Sequence, residues 1–216
     1  MQIYLVCQRS AVQKIAFVLS GDSCRKEIFP TGDIPTTKKI ARAEFGGAVY
    51  IDTPGLNAMK EDDKETQAAY ELADFILFVA SAQNGGISAA EAEWLQRLKE
   101  RYRSLQQRLI LALTHSAQVE SEQLPGIRNK VRCDISKAVG FAPEQILCVD
   151  SITCQDGVAD DEPLLIEYSG IPQLQAYLSE RVATAKATLK KAWKADIAER
   201  QQDLIKQLAL LEICAV

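Results

Sequence analysis

The sequence holds a single histidine, His115, among 216 residues. That excludes a metal site built from several imidazoles. Its six cysteines, Cys7, Cys24, Cys133, Cys148, Cys154 and Cys214, never fall as C-x-x-C. In a chain of this length the scatter favours reduced, mostly buried thiols in a cytosolic setting over a disulfide framework or a zinc site. No run reaches the ~18 to 20 apolar residues of a membrane span. Met1 to Val6 is too short for the apolar core of a secretory signal and reads as a first strand. Neither charge dominates: a net charge of -4 argues against broad nucleic-acid binding. Val182 to Val216 lacks both proline and glycine.

What is present is alternation. Apolar runs of strand length, Ile3–Val6, Ala48–Ile51, Phe75–Ala80, Leu109–Leu113 and Ile146–Val149, alternate with segments of helical spacing. That order predicts an α/β fold, a mainly parallel sheet with helices on both faces. Ile40–Phe45 alternates, and Gly46-Gly47 turns it into the next run, which predicts one antiparallel edge hairpin. Ser88 is placed as an N-cap, with Glu91 three residues on completing a capping box. Trp94, Leu95, Leu98 and Tyr102 then share one helical face, and Trp94 reads as core. Pro125–Val139 is a helix with Ile127, Val131, Ile135 and Val139 inward. Asp156–Glu162 reads as a solvated acidic loop. Ser169-Gly170-Ile171-Pro172 starts a helix that runs through Arg181.

The chain is organised around Gly47 to Leu56, GAVYIDTPGL. Its apolar strand stops at Asp52, and Pro54-Gly55 turns the chain. An aspartate at the carboxyl end of a buried strand can hold a hard cation, usually through water. A glycine just beyond can offer its backbone N–H to a terminal phosphate. Taken alone, D-x-x-G is equally a strand ending in an Asx-type turn. Pro35-Thr36-Thr37-Lys38-Lys39-Ile40 lies upstream and Ala73–Val79 downstream. In that order and spacing, from about Ile3 to Arg181, the chain resembles a translation-factor-type P-loop GTPase of the Era or dynamin-like branch.

The resemblance implies a P-loop NTPase-like three-layer sandwich, with Mg²⁺ and GTP as ligands and Mg²⁺-dependent GTP hydrolysis as the ancestral activity. It places Thr37 and Asp52 around the metal and Thr53, Pro54 and Gly55 at the γ-phosphate. Lys14 is set in the phosphate loop, and Thr114, His115 and Ser151 beside the base. Leu56 stands where Ras-like members carry a water-positioning glutamine, so no catalytic residue is assigned. Two places depart from the family. Cys7–Lys14 has the length of G-x-x-x-x-G-K-[ST] but neither glycine. Lys14 is then a loop lysine shifted by one, or a solvated helix-start residue. At [NT]-K-x-D the chain reads Thr114-His115-Ser116-Ala117. Ala117 offers no acceptor to guanine. His115 either stacks on a base or is a loop histidine without a partner.

Two functions follow from the resemblance. One is a GTP-binding switch. The other is a nucleotide-free pseudo-GTPase acting as an interaction module, or a truncated product without activity. The expected organisation is a G domain over 1–181 and an amphipathic helical extension over 182–216. Leu189, Trp193, Ile197, Leu204, Leu208 and Leu211 form its apolar stripe beside Lys190, Lys191, Lys194 and Arg200. That stripe can pack on its own domain, on a second copy or helical partner, or on a membrane surface. The expected setting is cytoplasmic, with membrane contact through the tail.

Overall fold

The structure, a computed structural model, describes residues 3–8, 41–45, 48–53, 73–102 and 104–214. Lys14, Thr37, Pro54, Gly55 and the Gly46-Gly47 turn lie outside them. Among the described residues six strands form one sheet: β1 (Ile3–Gln8), β2 (Ala41–Phe45), β3 (Ala48–Thr53), β4 (Phe75–Ser81), β5 (Leu109–Thr114) and β6 (Leu147–Cys148). Their spatial order is β2-β3-β1-β4-β5-β6. Among the described strands only β2 runs antiparallel, pairing with β3 as the edge hairpin the sequence predicts. The helices are α1 (Ala89–Arg101), α2 (Leu105–Arg108), α3 (Leu124–Val139), α4 (Ser151–Ala159), α5 (Pro163–Tyr168) and α6 (Ile171–Cys214).

In β4 every residue from Phe75 to Ala80 is buried, whichever way its side chain points. A strand covered on both faces needs no polar alternation, which is why it reads as one apolar run. On one face Ile51, Ile76, Phe78, Ala80, Leu111 and Leu113 pack against α1 and α3 through Trp94, Leu95, Leu98, Val131, Ile135 and Val139. The Phe78 and Trp94 rings stack with centroids 5.8 Å apart, so Trp94 is core. On the other face Tyr50, Phe75, Leu77, Val79, Ile110 and Ala112 meet Cys154 of α4 and Ile171, Leu174, Leu178 and Ala185 of α6. The architecture is therefore a three-layer α/β sandwich with a trailing C-terminal helix.

Local chemistry fixes the helix ends. The Ser88 backbone N–H donates to Glu91 Oε2 at 2.6 Å, and the Glu91 N–H donates to Ser88 Oγ at 3.3 Å. Both halves of the capping box are thus formed. Pro125 occupies the first turn of α3, and Gly140 closes its end at φ 77°.

Two features differ from the sequence expectation. Asp156 lies inside α4, not in a loop. The helix starts because Asp150 caps it, and Gly157 lets α5 approach: a Cβ there would lie 2.9 Å from the Ile166 nitrogen. The closing helix does not stop near Arg181 but runs unbroken to Cys214. Arg181 roots it, with its guanidinium 5.1 Å from the Phe75 ring centroid and a hydrogen bond to the Gln107 carbonyl. No helix among the described residues is long and apolar enough to cross a membrane.

Candidate functional site

Parallel α/β sheets bind ligands beyond the carboxyl ends of their strands, where the strand order reverses. Here β1 has β3 on one side and β4 on the other, so the reversal lies at β1. The register puts Cys7 level with both Asp52 and Leu77, and Gln8 level with Thr53. Asp52 and Thr53 thus end β3 at the crevice, beside the carboxyl end of β1. Further along the same edge, Ser81 ends β4 level with Thr114 at the end of β5. Through Cys7 and Leu77, Asp52 is level with Ile110 of β5, so Thr114 lies three strand spacings across, roughly 14 Å, and four residues, roughly 13 Å, further along the strands. The expected Asp52, Thr53, Thr114, His115 and Ser151 therefore share one edge.

At the β5 end the side chains form a local network. Thr114 is buried, and its hydroxyl donates to the Ala80 carbonyl at 3.1 Å. That uses its single proton. Toward His115, whose Nδ1 is 3.1 Å away, Thr114 Oγ1 can only accept. Ser81 Oγ is also 3.1 Å from Nδ1. His115 takes a left-handed backbone, φ 57°, as it leaves the strand. A histidine without a partner is thus overturned: the ring is anchored by two hydroxyls from adjacent strands.

Asp150 is the residue that sequence reasoning missed. It is 1% exposed and sits between β6 and α4. Its Oδ1 accepts from the backbone N–H groups of Ile152 and Thr153, at 3.1 and 3.0 Å, and from the Thr153 hydroxyl at 3.3 Å. Its Oδ2 accepts from the Ala117 N–H at 3.3 Å. One carboxylate thereby caps α4 and ties the turn after β5 to it. An aspartate closing an apolar run before Ser-Ile-Thr is an N-cap signal that was available in the sequence. Ser151, the first residue of α4, is nearly buried beside it.

This arrangement bears on the two ligands that the resemblance implies. A guanine base needs an acceptor for its N–H groups. Ala117 has no side-chain acceptor, and the nearby carboxylate of Asp150 already holds four donors. At the other end Asp52 is one carboxylate at a strand end. That suits a Mg²⁺ ion, which takes one or two protein oxygens, phosphate oxygens and water. Among the described residues no three His, Cys, Asp or Glu side chains gather to hold a metal ion.

Comparison with known proteins places the fold. The bacterial dynamin GTPase LeoA, from ETEC, superposes with a TM-score of 0.64 at 15% identity, over 91% of this chain and 39% of that one. The fold is that of the P-loop GTPases. Toc33 of Arabidopsis thaliana matches with a TM-score of 0.51 at 13% identity, over 69% of this chain and 71% of that one. Structures of Toc33 with Mg²⁺ and GMPPNP or GDP are similar as well. An uncharacterized protein of Acinetobacter baylyi is 29% identical over 160 residues, 73% of this chain and 37% of that protein. The chain thus spans well under half the length of both the curated relative and the dynamin. No protein-family model matches it.

Proposed function

We propose that this chain is the G domain of a dynamin-like switch protein in which guanine selection is lost and the grip on nucleotide is weak, leaving it chiefly an interaction module. The observation that carries this reading is the committed state of the base end. Asp150 holds the Ile152, Thr153 and Ala117 N–H groups, and Ala117 lacks a side-chain acceptor. A site with no acceptor for the purine N–H groups gives up the discrimination that such pairing supplies. The glycine-free stretch Cys7–Lys14 adds to it, because few residues other than glycine let the backbone wrap a phosphate closely.

In this reading Thr37 and Asp52 would hold Mg²⁺, Lys14, Thr53, Pro54 and Gly55 would face the phosphates, and Thr114, His115 and Ser151 would line the base end. Bound Mg²⁺ would supply charge neutralisation for the phosphates. The reading that this is a working GTP switch is favoured by one observation: Asp52 and Thr53 end their strand at the sheet's reversal point. Titration of labelled GTP and ATP with Mg²⁺ separates the two. The expected result is weak binding, with the two affinities within about tenfold of each other. Submicromolar binding that prefers GTP strongly would refute loss of guanine selection.

A further inference from the structure

Between Lys137 and Arg181 the sequence has no basic residue at all. Within that span α4 and α5 present an outward face of Ile152, Val158, Leu164, Leu165 and Tyr168. Leu164 and Tyr168, one helical turn apart, are 75% and 70% exposed. Tyrosine is a residue enriched among interface anchors, and the exposed leucine beside it extends the apolar area a partner can cover. The face is ringed by Asp156, Asp160, Asp161, Glu162 and Glu167, all exposed. It is an acidic, apolar surface.

The outer part of α6 is its chemical counterpart. Four lysines, Lys186, Lys190, Lys191 and Lys194, fall within nine residues that contain no acid. Beyond them Ile197, Leu204, Ile205 and Leu208 are each more than half exposed. From Ile197 to Leu208 the helix advances roughly 17 Å, and the nine-residue α4 is about 14 Å long. The two surfaces both expose apolar side chains and oppose in charge.

These surfaces cannot meet within one molecule. α6 is continuous from Ile171 to Cys214; Ala185 is buried, whereas Ile197, Leu204, Ile205 and Leu208 farther along are exposed. The part beyond Ala185 extends roughly 40 Å along the helix axis, away from α5, which precedes its first turn. An unbroken helix cannot double back on its own root.

We infer that α4–α5 is a docking face for the outer half of α6 from a second copy of this chain. Lysines of the incoming helix face the acids of α4–α5, and Ile197, Leu204, Ile205 and Leu208 cover Leu164 and Tyr168. Each copy carries both halves, so the contact closes as a twofold pair or continues head to tail. The inference does not depend on how the nucleotide site is read.

Sedimentation velocity on the full chain, across the micromolar range and at two salt concentrations, tests it. The wild type should associate, and less so at high salt. Glu162→Lys with Glu167→Lys should weaken association at least about tenfold, and so should Lys190→Glu with Lys194→Glu. All four side chains are exposed, so the thermal melt should hold. Combining the two reversals should restore association, a rescue that general damage would not give. A monomeric wild type overturns the inference. So does association lost with the tail variant but untouched by the α5 variant, which would mean tail-to-tail pairing. Capture of a monomeric wild type by phosphatidylserine vesicles through the tail lysines would assign that surface to membrane instead.

Discussion

Asp150 Oδ2 accepts the backbone N–H of Ala117 at 3.3 Å, joining two turns 33 residues apart. The same carboxylate holds the first turn of α4 through Ile152 and Thr153. Removing it would leave buried or half-buried donors unmatched at two places at once. Asp150→Ala should cost about 3 kcal/mol, the sum of a lost helix cap and unsatisfied donors. Asp150→Asn keeps an acceptor oxygen and should cost about 1 kcal/mol. Urea denaturation with unchanged slope checks both values.

Gly170 and Gly140 offer a controlled comparison. Both have positive φ, 70° and 77°. A Cβ on Gly140 would meet nothing within 4 Å, whereas one on Gly170 would fall 2.1 Å from the Cys148 carbonyl oxygen. Gly140→Ala should then cost about 1 kcal/mol, for the left-handed backbone alone. Gly170→Ala adds a steric overlap between the start of α6 and β6, and should cost about 3 kcal/mol or more. Equal losses at the two sites would show that α6 can shift off β6 freely.

The thiol of Cys148 is half-buried, and burial pushes its pKa above the usual value; the Arg128 guanidinium partly opposes this. A thiol whose pKa is raised by folding keeps its proton longer in the folded chain than in the unfolded one. Its contribution to stability is complete below the unfolded thiol pKa of about 8.5 and declines as pH rises through that value toward the folded one. Cys148→Ala should flatten this alkaline loss in urea melts taken between pH 7 and about 10. Iodoacetamide should modify exposed Cys133 before Cys148 and buried Cys154.

The layers of the fold were legible because they rest on periodicity. The apolar run Phe75–Ala80 and the four-residue spacing of Val131, Ile135 and Val139 translate directly into a sheet buried on both faces and a helix packed on it. The strand ends that carry Asp52 and Thr114 were also legible, because the pattern had located those two strands. What stayed hidden depends on pairs distant in sequence. Nothing near His115 announces that Ser81 and Thr114 meet its ring, since strand register decides that. The acidic segment around Asp156 looked like loop because its composition is polar. It is helical because Asp150 caps its start and Gly157 admits α5, both tertiary facts. The helical character past Arg181 was legible in the absence of proline and glycine from Val182 to Val216; its continuity with the helix that starts at Ile171 was not, because no residue between them marks either a joint or its absence.

Asp52 offers the test that reaches furthest. It ends β3 level with Cys7 of β1, at the reversal point of the sheet. In a working switch, Asp52→Ala removes a charge from the Mg²⁺ shell and weakens nucleotide binding while leaving the fold nearly intact. If Asp52 only braces a turn, its lost hydrogen bonds should cost about 1 kcal/mol with or without ligand. In the proposed reading neither applies: the wild-type melt should not move with Mg²⁺-GTP, and the substitution should change stability by less than about 0.5 kcal/mol. Thermal melts of wild type and Asp52→Ala, each with and without Mg²⁺-GTP, separate the three outcomes. A ligand that binds only the folded state raises stability by ~2.7 kcal/mol at one hundred times its dissociation constant, several degrees for a domain of this size. Such a rise in the wild type, absent in Asp52→Ala, would make this chain a working switch despite its glycine-free loop.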